Sequence, residues 1–124
     1  MPAIPLGNNF PAERTLRDTL GQLKRHSHTA KAKCNRIKQL LRLVLTRETD
    51  HVPISRLEEW KRDSETLLER YTVFKRFAMI VEKMTHNKLH GVTLATITDL
   101  TEVIDGTREM MGLIDTLRND PVDG

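Results

Sequence analysis

Residues 14–47 read RTLRDTLGQLKRHSHTAKAKCNRIKQLLRLVLTR and hold ten Lys or Arg against a single acid, Asp18. Within them Leu16, Leu20, Leu23, Ser27, Ala30, Cys34, Ile37, Leu41 and Val44 recur in alternating steps of four and three. That alternation keeps side chains on one stripe of an α-helix, so the stretch is expected to form one long helix with an inward seam. Beside the seam, Arg17, Lys24, Lys31 and Lys38 repeat every seven residues. At a rise of about 1.5 Å per residue, such a row sets positive charges roughly 10 Å apart along one edge. With Arg25, Arg36 and Arg42 added, the cations cover a wider outer arc than one facing helix can screen.

Outward from this stretch, helix 1 is expected over about 10–47, with Asn9 as N-cap, Pro11 in the first turn and Glu13 at the positive end of the dipole. Gly21 and the polar run His26–Thr29 weaken it near its middle, a place where a kink or break is compatible with the sequence. The loop Glu48–Pro53 ends it. Ser55 and Glu58 have the spacing of a capping box, and helix 2 is expected over about 56–87. Its seam is Leu57, Trp60, Ser64, Leu67, Tyr71, Phe74, Ala78 and Val81. Leu68, Phe77, Ile80 and Met84 widen the apolar face, so helix 2 is expected to touch more than one neighbour.

Gly91 is the expected stop of that helix, and Thr93 or Thr96 the cap of helix 3, which runs to about Arg118. Gly106 and Gly112 in its interior are read as marks of close helix approach. The chain is therefore expected to be all-α, an up-down-up antiparallel three-helix bundle with two long helices and a shorter third. Residues 1–9 are expected to form a flexible arm, 10–118 a single domain and 119–124 a frayed tail. The length mismatch would leave apolar seam for a second copy, and homodimerisation is expected.

Composition bounds the function. At 124 residues, with 38% apolar and 30% charged side chains, the chain is long enough for one domain with its own core. The net charge of +3 divides into +8 for residues 1–47, ten basic and two acidic, and −5 for residues 48–124, ten basic and fifteen acidic. Such a field attracts polyanions or acidic surfaces. It can also be satisfied internally, because residues 92–124 carry Asp99, Glu102, Asp105, Glu109, Asp115, Asp120 and Asp123 against only Arg108 and Arg118. The single cysteine, Cys34, excludes an intrachain disulfide and fits a reducing compartment. Neither a secretory leader nor an apolar run near the roughly 20 residues of a membrane span is seen, so a cytoplasmic location is expected.

No Gly-rich phosphate loop, Gly-x-Ser-x-Gly turn or catalytic carboxylate pair is present, so no enzyme, cofactor or small-molecule substrate is expected. Glu82, His86 and His90, spaced i, i+4, i+8, are the sharpest metal candidate. Zinc sites generally need three or four ligands with a supporting shell, and these residues are read as a solvated helix end with no metal. His26 and His28 are read as exposed polar residues, and the aromatics Trp60, Tyr71, Phe74 and Phe77 as packing rather than as platforms for bases.

Two resemblances bear on the choice of partner, both of charge and architecture rather than of a diagnostic motif. The run Lys31-Ala32-Lys33-Cys34-Asn35-Arg36-Ile37-Lys38-Gln39-Leu40-Leu41, within residues 14–50, resembles nodavirus-type RNA-silencing suppressors. These are dimeric helical hairpins that lay basic faces along double-stranded RNA. The hairpin of residues 16–84, with Arg56-Leu57-Glu58-Glu59-Trp60 and Leu67-Leu68-Glu69-Arg70-Tyr71, is similar to the N-terminal helical region of BEL/Pao retroelement Gag proteins, which implies self-association in assembly. The leading expectation is sequence-independent binding of duplex RNA through Arg17, Lys24, Arg25, Lys31, Arg36, Lys38 and Arg42. The alternative is a protein-interaction or self-assembly module that recognises an acidic partner. Its dimer or partner seam is Leu16, Leu20, Leu23, Ile37, Leu41, Trp60, Leu67, Tyr71 and Phe74.

Overall fold

The computed structural model describes residues 13–46 and 52–119. Over these the chain forms α1 (Glu13–Leu45), α2 (Ile54–Met84) and α3 (His90–Asn119), with no strand among the described residues. The expected arm at 1–9, the caps at Asn9 and Pro11, most of the first loop and the tail beyond Asn119 lie outside the described residues.

The three helices hold 33, 31 and 30 residues and are nearly equal in length. This corrects the expected mismatch, and with it the argument that two longer helices leave seam for a second copy. Helix α3 is longer than expected because it starts at His90, so Gly91, Thr93 and Thr96 sit inside its first turns rather than at a stop or a cap. Thr93 and Thr96 are buried. The chain reverses at His86 and Asn87, both left-handed at φ 51° and 67°. Asn and His tolerate that region better than most side chains, which is why no glycine marks the turn.

Helix α1 runs unbroken through Gly21 and the His26–Thr29 stretch, where the sequence is compatible with a kink. Ser27 is fully buried and donates its hydroxyl to the Lys24 carbonyl at 2.6 Å, so this polar seam residue is satisfied within its own helix. The expected capping box is absent. Helix α2 begins after Pro53, with no side-chain cap hydrogen bond, and Ser55 lies inside the first turn. The fixed φ of proline, here −58°, sets the entry instead. Arg56 lies over the Trp60 ring at 5.9 Å on the same opening turns.

Helix α3 packs along both other helices, whereas α1 and α2 meet at only a few points. The polar contacts give the register. His28–Asp99, Lys31–Glu102 and Lys38–Glu109 each join positions 71 residues apart, so α1 and α3 run in the same sense. Lys61–Asp115 and Glu82–His90 join α2 and α3 from opposite ends, so those two helices run in opposite senses.

Two apolar clusters fill the interior. One gathers Leu16, Leu20 and Leu23 of α1, Tyr71, Ala78 and Val81 of α2, and Leu100, Val103 and Ile104 of α3. The other, at the far end, gathers Cys34, Leu41 and Val44 with Leu57 and with Met110, Ile114 and Leu117. Tyr71 and Phe74 make an edge-to-face ring pair at 5.2 Å. Polar atoms follow the same logic: Thr96 donates to the Leu20 carbonyl at 3.4 Å, and Cys34 Sγ lies 3.7 Å from Thr107 Oγ1. Among the described residues no buried side-chain nitrogen or oxygen lacks a partner. No described helix is long and apolar enough to cross a membrane.

Candidate protein-interaction surface

The cationic row of α1 is the first candidate, and the structure divides it. Lys31 pairs with Glu102 at 3.3 Å. Lys38 is buried and its ammonium sits 3.3 Å from Glu109, which also receives Arg42. Arg17 pairs within its own helix, with Glu13 at 3.8 Å. Four of the seven expected phosphate-binding residues are thus engaged by carboxylates, three of them by the acidic face of α3. A groove of about 320 Å³ between α1 and α3 is lined by Lys31, Lys38, Glu102 and Glu109 among others, so its charged groups already face one another.

Lys24, Arg25 and Arg36 remain from the expected set. With Arg14 and Lys33 they have no ion pair among the described residues. Arg14, Arg25 and Arg36 are exposed and spaced by eleven residues, close to three full turns, so they share one outer line of α1. Sequence reading favours the seven-residue row because it flanks the seam. For the same reason that row lies within reach of a neighbouring helix, and the eleven-residue line lies beyond it.

The expected dimer or partner seam is taken up inside the monomer. Leu16, Leu20, Leu23, Leu41 and Tyr71 are buried, and Ile37, Trp60, Leu67 and Phe74 are half-buried against the two clusters. A different apolar set faces outward. Val73, Phe77, Ile80 and Met84 step by four, three and four along α2 and are 52%, 36%, 47% and 39% exposed. Their stripe points away from Tyr71, Ala78 and Val81, which face the core. Met79 is 53% exposed on the other flank of the helix, about 100° round from Ile80. In the sequence Phe77, Ile80 and Met84 widen the face of helix 2 toward another neighbour, and neither α1 nor α3 is that neighbour. Val73 and Met79 escape sequence reading because a single valine or methionine on a helix carries no signal until its neighbours are placed.

Ile80 also lines an open groove of about 630 Å³ between α2 and the start of α3, together with Met79, Ile97, Lys75, Arg76 and Lys83. At its end the metal candidate resolves differently from a cluster. Glu82 and His90 meet in a close side-chain hydrogen bond, whereas His86 is an exposed residue of the left-handed turn. Among the described residues no group of three His, Cys, Asp or Glu is placed to hold a metal ion. His28 is exposed and reaches Asp99 at 3.3 Å, and His26 is exposed. Burial pushes the Tyr71 hydroxyl above its ordinary pKa near 10, partly offset by the nearby Arg70 guanidinium.

No protein-family model, curated protein or solved structure matches this chain. Its surface is therefore interpreted on its own chemistry. An uninterrupted apolar stripe beside a groove, on a helix whose opposite face already forms the core, is the arrangement that protein partners cover.

Proposed function

We propose that this chain is a non-enzymatic protein-interaction or assembly module that engages its partner through the outer face of α2. The observation that carries this is the exposed stripe of Val73, Phe77, Ile80 and Met84. Leaving such side chains in water forfeits about 25 cal/mol for each Å² of apolar surface, a cost that a docked partner removes. The lone, buried Cys34 suits a protein kept in a reducing, intracellular setting.

A selection of displayed helical peptides of unbiased composition tests this without a known partner. The peptides recovered are expected to lose binding to a Phe77→Glu/Ile80→Glu variant that keeps its helical signal. Peptides that bind wild type and this variant equally would overturn the proposal.

Duplex RNA is the second function, favoured by one observation: Arg14, Lys24, Arg25, Lys33 and Arg36 have no ion pair among the described residues. With four to five phosphate contacts, log K falls with log salt at a slope of about −4, at roughly −0.9 per phosphate. Lys31, Lys38 and Arg42 are paired with α3 carboxylates in this version too, and substituting them is expected to change RNA affinity less than substituting the unpaired five.

A further inference from the structure

The C-terminal half of α2 and the turn after it are both apolar and positively charged. Between positions 70 and 88 the cations are Arg70, Lys75, Arg76, Lys83 and Lys88, and the one carboxylate, Glu82, is held by His90. None of the five has an ion pair among the described residues. On α1, by contrast, α3 pairs Lys31, Lys38 and Arg42 and leaves the outer cations free, but among the described residues no apolar stripe runs between those. The apolar stripe runs through the same turns, and Ile80 joins it to the groove that Met79 and Ile97 line between α2 and α3.

We infer that this face is the docking site for an acidic amphipathic helix of another protein. The inference rests on the interaction module proposed above and names the chemistry of its partner. Val73 to Met84 spans eleven steps, about 16 Å of helix, so the partner presents about three turns of apolar residues at i, i+3, i+7 and i+10. Its Asp and Glu flanks meet Arg76 and Lys83, which stand next to Phe77 and Met84 in sequence and line or adjoin the groove. Met79 and Met84 are unbranched and adapt to the shape of the incoming ridge.

Charge argues against a second copy on this face. A two-fold dimer sets the same patch on both subunits against itself, so Arg70, Arg76 and Lys83 of each copy would crowd one interface with Glu69 as the nearest exposed carboxylate. A concave groove walled by two helices also suits a ridge of side chains better than a flat anionic bilayer does.

The test is a titration of the full chain with a designed acidic helical peptide of about five turns, carrying Leu at i, i+3, i+7 and i+10 and Glu at the flanking positions. A counterpart with Lys in place of Glu and anionic phosphatidylglycerol vesicles are titrated in parallel. The acidic peptide is expected to bind in a salt-sensitive manner. Its affinity should fall about tenfold in Arg76→Glu/Lys83→Glu and be lost in Phe77→Glu/Ile80→Glu, both with unchanged helical signal. Equal affinity for the Lys peptide would overturn the charge assignment while leaving a stripe-dependent interaction module standing. Vesicle binding without peptide binding, or peptide excluded by concentration-dependent self-association through the same stripe, would give the face to another occupant. Peptide binding unaffected by Phe77→Glu/Ile80→Glu would overturn both the inference and the proposed function.

Discussion

Removing the carboxylate of Glu109 strips the buried Lys38 ammonium of the partner 3.3 Å away. Lys38 is 8% exposed, whereas the Glu109 side chain is 49% exposed, so water screens one member of the pair and hardly reaches the other. A fully buried pair broken on one side costs about 3–5 kcal/mol and a surface pair about 0–1. This half-buried case is expected to lie between, at about 1–2 kcal/mol for Glu109→Gln. Lys38→Met removes the charge and keeps a packed stem, and is expected to stay within about 1 kcal/mol of wild type in either direction. In the Lys38→Met background, Glu109→Gln should then cost less than about 0.5 kcal/mol, because only the exposed Arg42 pair is lost. The assay is urea unfolding of the four proteins as a double-mutant cycle, with a coupling of about 1 kcal/mol. An equal cost of Glu109→Gln in both backgrounds would refute the internal pairing of the row.

Other perturbations separate packing from surface. A Cβ at Gly112 meets no atom within 4 Å, so Gly112→Ala should stabilise α3 by about 0.5–1 kcal/mol and raise the melting temperature by a few degrees. Ile114→Ala and Leu100→Ala, at fully buried positions, should each cost about 2–5 kcal/mol in denaturant unfolding. Burial raises the Tyr71 pKa, so its neutral phenol favours the fold. That contribution is complete below about pH 10 and is lost as pH rises through the folded-state value. Unfolding followed from about pH 8 to 11 should show an alkaline fall in stability that is smaller in Tyr71→Phe. Phe77→Glu/Ile80→Glu exchanges exposed side chains only and should leave stability within about 0.5 kcal/mol per site, by the same unfolding assay.

The seam of α1 was legible because a 4-3 repeat is a property of one helix alone. Leu16, Leu20, Leu23, Ser27, Cys34, Leu41 and Val44 are all buried as their spacing implies. Lys38, beside Gly106, was not legible as a core residue, since its burial depends on Glu109, 71 positions away. A Cβ added at Gly106 would come within 3.6 Å of the Lys38 ammonium. That is an ordinary van der Waals contact, and a Cβ at Gly112 meets nothing within 4 Å, so neither glycine marks the close helix approach that was expected. The α2–α3 turn carries no glycine signal for a local reason: His86 and Asn87 adopt the positive φ themselves. The excess apolar character of α2 was visible in Phe77, Ile80 and Met84. Their exposure was not, because periodicity tells which residues share a face and not whether a neighbour covers it.

The central proposal is that the outer face of α2, rather than the cations of α1, meets the partner. The most direct measurement compares wild type, Phe77→Glu/Ile80→Glu and Arg25→Glu/Arg36→Glu in parallel titrations with the acidic helical peptide and with duplex RNA. Peptide binding that is lost in the α2 variant and retained in the α1 variant, with little RNA bound at physiological salt, is the predicted result. Salt-sensitive duplex RNA binding that vanishes in the α1 variant, with no peptide bound by any of the three proteins, would contradict it.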